Sequence, residues 1–571
     1  MFEFQQDLDP VGGSLALSAL CGAIPLLTLF LLLGGLKIRA WLSGLISLGV
    51  ALLVAIVLFE MPAGQALLAG TEGAAFGFFP IMWIVINAIW VYNLTVATGY
   101  FDVLRRSFEK VSPDQRIQAI IIAFCFGALL EALAGFGTPV AITVVMLMAL
   151  GFEPLKAAAV ALIANTAPVA FGALATPIVT LSTVTSGASS APGLDVDTLG
   201  SMVGRQTPIL ALVVPLILVG VVDGKRGLRN AWPAAVVCGV AFGLAQFAAS
   251  NYISVQLADI IAALVAAAAV VVLVRVWSPA EVLVAEHLTA ESSTAAPASV
   301  SVGRGGGGGA GTAAAEPAGP AEDSRADVAR AYAPYLVIIA IFAITNITAV
   351  KDALAKEPWT HAFDWPGLDV FNTSGDPVTT TTYVLNWLPA AGTLMIIAGL
   401  ITSVILRISP STMARTYVRT YVELRTAIIT VMAVVGLAYV MNLSGQTGSM
   451  GAWLAGAGGA FAILSPILGW IGVAVTGSDT SSNALFGALQ VQTAGQAGLD
   501  PTLMAAANSS GGVLGKMVSP QNLAIAAAAV GIAGREGDIF RKILGWSLVL
   551  LALMCVIVAL QSTPVLDWMV P

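Results

Sequence analysis

Across 571 residues the chain is 58% hydrophobic and only 10% charged, with a mean hydropathy of +0.90. Soluble globular domains carry about 25% charged residues, so the sequence describes a polytopic membrane protein. A net charge of −7, with Lys and Arg scattered through short loops, excludes the basic stripe of a nucleic-acid binder.

The opening MFEFQQDLDP is acidic where a secretory signal is basic, so the first apolar segment is expected to act as an uncleaved insertion signal. Crossing a ~30 Å hydrocarbon core takes about 20 residues. Apolar runs of that kind fall near 14–36, 41–59, 75–98, 155–180, 207–222, 230–249, 256–276, 331–349, 384–406, 425–443, 502–532 and 543–561. Clustered basic residues mark cytoplasmic loops: Lys37 and Arg39; Arg105, Arg106, Lys110 and Arg116; Lys225, Arg226 and Arg229; Arg407, Arg415 and Arg419; Arg535, Arg541 and Lys542. The sides alternate only if 117–150 enters and leaves from the cytoplasm and 451–498 from the opposite face. The expected fold is therefore all-α, with about 12 transmembrane helices plus two opposed re-entrant hairpins in an inverted repeat.

The hairpin tips are expected at Gly135 to Pro139 and at Gly477 to Asn483, inside EALAGFGTPVAI and TGSDTSSNALF. Polar breaks at bilayer depth are tolerated only where they are buried in protein or line a cavity, so the pair predicts a substrate site. Each hairpin leads into a similar run: G-x-E-P from Gly151 and G-x-D-P from Gly498, then a helix expected to break at Asn165 or at Asn508. The spacing from Pro to Asn differs between halves by four residues, about one helical turn. The first membrane half is expected over 1–288 and the second over 328–571. Between them 289–327, with SSTAAPAS and GRGGGGGAG, has too little apolar surface to fold and predicts a disordered cytoplasmic linker. Residues 351–383 are expected on the outer surface, with an external lid as the alternative.

Catalysis and metal binding find little support. The only histidines, His287 and His361, fall in loops, and HExxH and GxSxG are absent. The four cysteines lie singly in apolar segments, as buried thiols do. No cofactor and no metal are expected. Intramembrane charges are costly, ~2.5–3.5 kcal/mol each on insertion scales, and so point to function. Glu131 and Asp479 are candidates for proton coupling, against a structural ion pair for Glu131 and a helix N-cap for Asp479. Lys516 is the one expected cation near the site; Arg205 is read as an interfacial or snorkelling residue. Hydroxyl and amide groups at helix breaks can cap half-helices whose N-termini attract an anion. Thr138, Asn165, Thr166, Ser478, Thr480, Ser481, Asn483, Asn508 and Ser509, with Lys516, are the expected cradle for a small carboxylate, structural capping being the competing account for each. Composition leaves proton and sodium coupling both open.

FCFGALLEALAGFGTPVAIT, LIANTAPVAFGA, MVGRQ, LGWIGVAVTGSDTSSNALFGALQ and GGVLGKMVSPQNLAIA, with QQDLDP and SPDQR, closely resemble the bacterial lactate permease family along almost the whole chain. The resemblance implies a multi-pass protein of the cytoplasmic membrane that takes up L-lactate, D-lactate or glycolate with H⁺. It also implies the wider ion transporter superfamily, whose members pair a scaffold with a mobile domain, often as homodimers working by an elevator movement. The nearest family pattern has Gly and Ala where this chain has Ala132 and Thr138, and the added Thr138 hydroxyl bears on which acid is preferred. The alternatives are a sodium-coupled carrier of dicarboxylates or other small anions and, in another class, a non-transporting receptor.

Overall fold

The computed structural model describes residues 3–135, 137–186, 188, 192–283 and 323–571. The first half runs through α1 (Leu15–Phe30), α2 (Ala40–Val57), α3 (Ala63–Phe76), α4 (Trp83–Ala97), α5 (Tyr100–Glu109), α6 (Gln115–Leu133), α7 (Thr138–Ala149), α8 (Pro154–Ala164), α9 (Gly172–Thr185), α10 (Val196–Tyr252) and α11 (Ala258–Val276). The second runs through α12 (Arg325–Thr345), α13 (Thr348–Leu354), α14 (Ala391–Ile405), α15 (Pro410–Leu443), α16 (Gln446–Leu454), α17 (Phe461–Thr476), α18 (Asp479–Ala497), α19 (Pro501–Gly515), α20 (Pro520–Ala529) and α21 (Glu536–Gln561). Short strands β1 (Phe4–Gln5), β2 (His361–Asp364), β3 (Val370–Phe371) and β4 (Thr382–Leu385) pair as β1 with β3, parallel, and β2 with β4, antiparallel. The linker expected over 289–327 lies outside the described residues up to residue 322. From there Ser324 caps α12 by accepting from the Asp327 amide.

Among the described residues ten helical stretches are long and apolar enough to cross a membrane, eleven if the pair around the 64° bend between α8 and α9 is one span. The protein is all-α and polytopic. α10 alone holds two expected spans: its 57 residues would stretch about 86 Å as one rod. Instead it folds back at Asp223 and Gly224, both non-helical, so that Gly239 lies against Ala211 and Gly243 against Pro208.

Three expected spans need correction. Helix begins at Ala63 rather than near residue 75, because GTEGAAFG lowers the hydropathy of α3 while its glycines seat it on α15: a Cβ on Gly73 would come within 2.7 Å of Tyr439 Cβ. The run near 384–406 starts as strand β4, where Tyr383 is buried and Val384 exposed in period-two alternation, and turns helical only at Ala391. The third, 502–532, is two helices, α19 and α20, joined by a turn at Lys516–Val518.

The two halves interlock. α15 packs on α2 and α3, α18 on α9, and α19 on α10. Within the first half Arg116, fully buried at the start of α6, ties that helix to the α10 fold-back by pairing with Asp114 at 2.7 Å and with Asp223 at 3.1 Å.

Candidate functional site

Beyond Arg116 and Gln118 in its first turn, α6 is apolar and buried until Glu131, two residues before its end. Gly135 and Gly137 then take left-handed backbone (φ 49° and 83°), a region open to glycine at no steric cost, and α7 begins at Thr138. Phe136, within the expected tip, lies outside the described residues. α8 stops at Asn165, and the chain passes through a 3₁₀ turn at Val169–Phe171. Ala173, Leu174 and Ala175 follow with φ of 43°, 56° and 59°. Left-handed backbone costs an L-residue roughly 1–2 kcal/mol, and such strain gathers where function holds it in place.

In the second half Gly477 (φ 77°) ends α17, and Ser478 caps α18 by accepting from the Ser481 amide at 3.3 Å. Asp479 is therefore in the first turn of α18 and is not its N-cap. Contrary to expectation, α19 runs unbroken through Asn508 to Gly515. The Asn508 side chain is satisfied inside the protein instead: it donates to Asn483 Oδ1 at 2.8 Å and accepts from Gln490 at 3.1 Å. The break falls at Lys516–Val518, and Ser519 caps α20.

Both turns converge on α20. A Cβ on Gly137 would meet Ile525 at 2.5 Å and one on Gly477 would meet Gln521 at 2.7 Å. Here Lys516 Nζ pairs with Glu131 Oε1 at 2.6 Å, and Asn165 Nδ2 donates to Glu131 Oε2 at 2.9 Å. Beside them Ser509 Oγ donates to Asp479 Oδ2 at 2.6 Å. In each half, then, the acid of the turn takes a hydrogen bond from the helix that follows. All four of these side chains with Lys516 are buried. Paired burial satisfies the charges, but removing one partner strands the other.

A cavity of about 700 Å³ reaches this pair. Its floor is Glu131, Asp479 and Lys516; its walls include Gly172, Ala173, Thr176, Ser478, Thr480 and Ser481, with Thr430 and Val431 of α15 opposite. Exposed Lys37, Arg39 and Gln521 stand at its rim. Of the expected residues, Glu131, Ser478, Asp479, Thr480, Ser481 and Lys516 line the cavity. Asn165, Asn483, Asn508 and Ser509 stand behind the lining and hold it through hydrogen bonds. Thr138 and Thr166 are outside the lining, and the Thr166 hydroxyl, in the turn after α8, closes on Ile163 O in the last turn of that helix. Arg205 donates to Asn251 and to the Met569 carbonyl, within the protein and away from the cavity. Thr176, Gln521 and the basic rim are additions that sequence reasoning missed; Lys37 and Arg39 carried a signal only as topology markers.

Helix breaks from both halves, converging on a buried ion pair at the end of an open cavity, define a membrane protein of the transporter class. The chain belongs to the L-lactate permease family, whose profile matches residues 18–565. It is 40% identical to the L-lactate permease of Bacillus subtilis over the full length of both chains. It is 39% identical to the L-lactate permease of Escherichia coli K12, again over the full length of both, and 39% identical to the glycolate permease GlcA of that organism over 98% of each. A remote likeness to the YdaH transporter of Alcanivorax borkumensis covers 86% of each chain at 14% identity and a TM-score of 0.41. The chain is a multi-pass protein of the bacterial plasma membrane.

Proposed function

We propose that this protein carries lactate, and with it glycolate as a smaller 2-hydroxymonocarboxylate, into the cell together with H⁺. The observation that carries the proposal is the Glu131–Lys516 pair at the cavity floor. When Glu131 takes a proton, Lys516 loses its counter-ion, and the substrate carboxylate replaces it in a charge-assisted hydrogen bond. One carboxylate charge is exchanged for another, so the buried site keeps its net charge and one proton accompanies one anion. Ser478, Thr480 and Ser481, at the N-terminus of α18, supply hydroxyls and the positive end of a helix dipole. Asp479 is the second proton-coupling candidate; Asn165, Asn483, Asn508 and Ser509 hold the two acids in place.

The same reading makes α6–α7 and α17–α18 opposed re-entrant hairpins of an inverted repeat. Its support is that α7, with 12 residues, reaches about 18 Å and falls short of a ~30 Å core. A homodimer with an elevator movement completes the reading and rests on family resemblance.

The test is uptake of radiolabelled L-lactate into sodium-free proteoliposomes, with and without an inward proton gradient. Gradient-driven accumulation is expected. Uptake that appears only with sodium overturns the proton reading and favours a sodium-coupled anion carrier.

A further inference from the structure

Glu72 lies in α3, away from the lining of the cavity, and is completely buried. Neither of its carboxylate oxygens meets a hydrogen-bond partner among the described residues. Isolated ionised carboxylates are not sustained in such surroundings, since the desolvation penalty far exceeds that of the neutral acid. Its companions on the same face of α3, at helical spacing, are Gln65, Ala69 and Phe76, and these show what covers it. Gln65 donates to the Gly367 carbonyl and accepts from the Asp369 amide, both at 3.0 Å. Phe76 stacks on Tyr383 with ring centroids 4.4 Å apart and on Tyr439 at 5.4 Å. The Tyr383 hydroxyl donates to the Phe79 carbonyl at 2.9 Å.

Residues 361–385 thus form a cap over this face of α3, and β1 laces the N-terminal segment into it at Val370 and Phe371. The cap is on the side opposite Lys37 and Arg39, the face that the basic loops leave for the exterior. On α15, the residues against Gly73 are Val435, Gly436 and Tyr439, while Val431 lines the cavity. Two turns, roughly 12 Å, separate Tyr439 from Val431. Glu72 therefore stands between the external cap and the inward cavity. Of the titratable groups on the elements packed around it, Tyr439 of α15 and Tyr383 of the cap face it, with Asp369 further out beside Gln65; the others are His361, Asp364 and Asp376 of the cap and Arg415, Tyr417, Arg419, Tyr421, Glu423 and Arg425 in the first half of α15, and α2 has none.

We propose that Glu72 is a second proton-binding site, loaded from the external face beneath the cap of residues 361–385. Its proton is held while the cap is seated, and uncovering the group lets it exchange with external solvent. Cap seating and proton occupancy are thereby linked, each favouring the other.

This inference rests on the proton-coupled reading above, and the experiment separates the two. Wild-type and Glu72→Gln protein are reconstituted, and lactate uptake is followed as external pH is varied, alongside lactate exchange at equal pH. Gln reproduces the shape of the neutral acid, so exchange is expected to persist, and the external pH profile of uptake is expected to shift, Glu131 still supplying the coupled proton. A Glu72→Gln protein that exchanges lactate and keeps the wild-type pH profile overturns the proposal and makes Glu72 a structural acid. Wild-type uptake that ignores external pH would overturn the proton-coupled reading instead, and failure of wild-type exchange would overturn the lactate reading. Should Glu72→Gln not fold, Tyr383→Phe decides: it leaves Glu72 in place and removes the hydroxyl that seats the cap, and is expected to shift the external pH profile. An unshifted profile there also overturns the proposal.

Discussion

Lys516 and Glu131 are 385 residues apart in the chain and 2.6 Å apart in the fold, both buried at the end of the cavity. Removing one partner of a buried pair leaves an uncompensated charge and costs about 3–5 kcal/mol, whereas replacing both by neutral groups of similar size is often tolerated. Glu131→Ala and Lys516→Ala are each expected to lower the thermal stability of the purified protein markedly. Glu131→Gln combined with Lys516→Met should recover most of that loss and still not transport lactate. If the double variant transported normally, the pair would be structural.

Gly172 is expected to be intolerant of any side chain. Its Cβ would lie 2.8 Å from Glu131 Oε1 and 3.2 Å from Cγ, on the side of the carboxylate that faces Lys516. Overpacking of this kind costs about 1–3 kcal/mol, and here the group that must yield is the carboxylate itself. Gly172→Ala should therefore depress lactate uptake severely while the protein still inserts and folds. Retained uptake in that variant would show that the position of the carboxylate is not critical.

Two hydroxyls named together from the sequence should behave differently. Ser509 donates to Asp479 Oδ2, and the other oxygen, Oδ1, has no partner among the described residues. Losing the Ser509 hydroxyl strips the carboxylate of its shortest hydrogen bond, at a cost of about 1–3 kcal/mol. Thr166 donates only to Ile163 O, one turn back. Ser509→Ala should impair uptake and lower stability, and Thr166→Val, which keeps the volume, should leave uptake near wild type. Equal effects in uptake assays would remove the distinction between the two.

The contrast between these two hydroxyls shows what the sequence can carry. Hydropathy and basic loops locate most of the spans, because period and length are local properties. Glu131, Asp479 and Lys516 are legible because a charge in an apolar run is conspicuous without any partner being known. Their mutual arrangement is not local. Nothing near Asn508 says that Asn483 and Gln490 will satisfy its amide, so a polar run that reads as a helix break is an unbroken helix. In the same way Gly70, Gly73 and Gly77 read as weak hydropathy in α3, although their function is close approach to α15. Strand β4 was hidden because TTTYVL continues directly into the apolar stretch that follows it.

At the rim, exposed Lys37 and Arg39 stand where an anion leaves or enters the cavity from the face marked as cytoplasmic. Exposed charges steer an anion through their summed field rather than through one fixed contact. That field is screened over about 8 Å at physiological salt and about 3 Å at 1 M. A Lys37→Gln, Arg39→Gln protein should therefore capture lactate more slowly from the cytoplasmic face of inside-out vesicles at low salt. The difference from wild type should shrink as salt is raised, with exchange at saturating lactate unaffected. A defect that persisted at high salt would mean that one of the two side chains binds the substrate directly. No defect at low salt would mean that the rim charges serve topology alone.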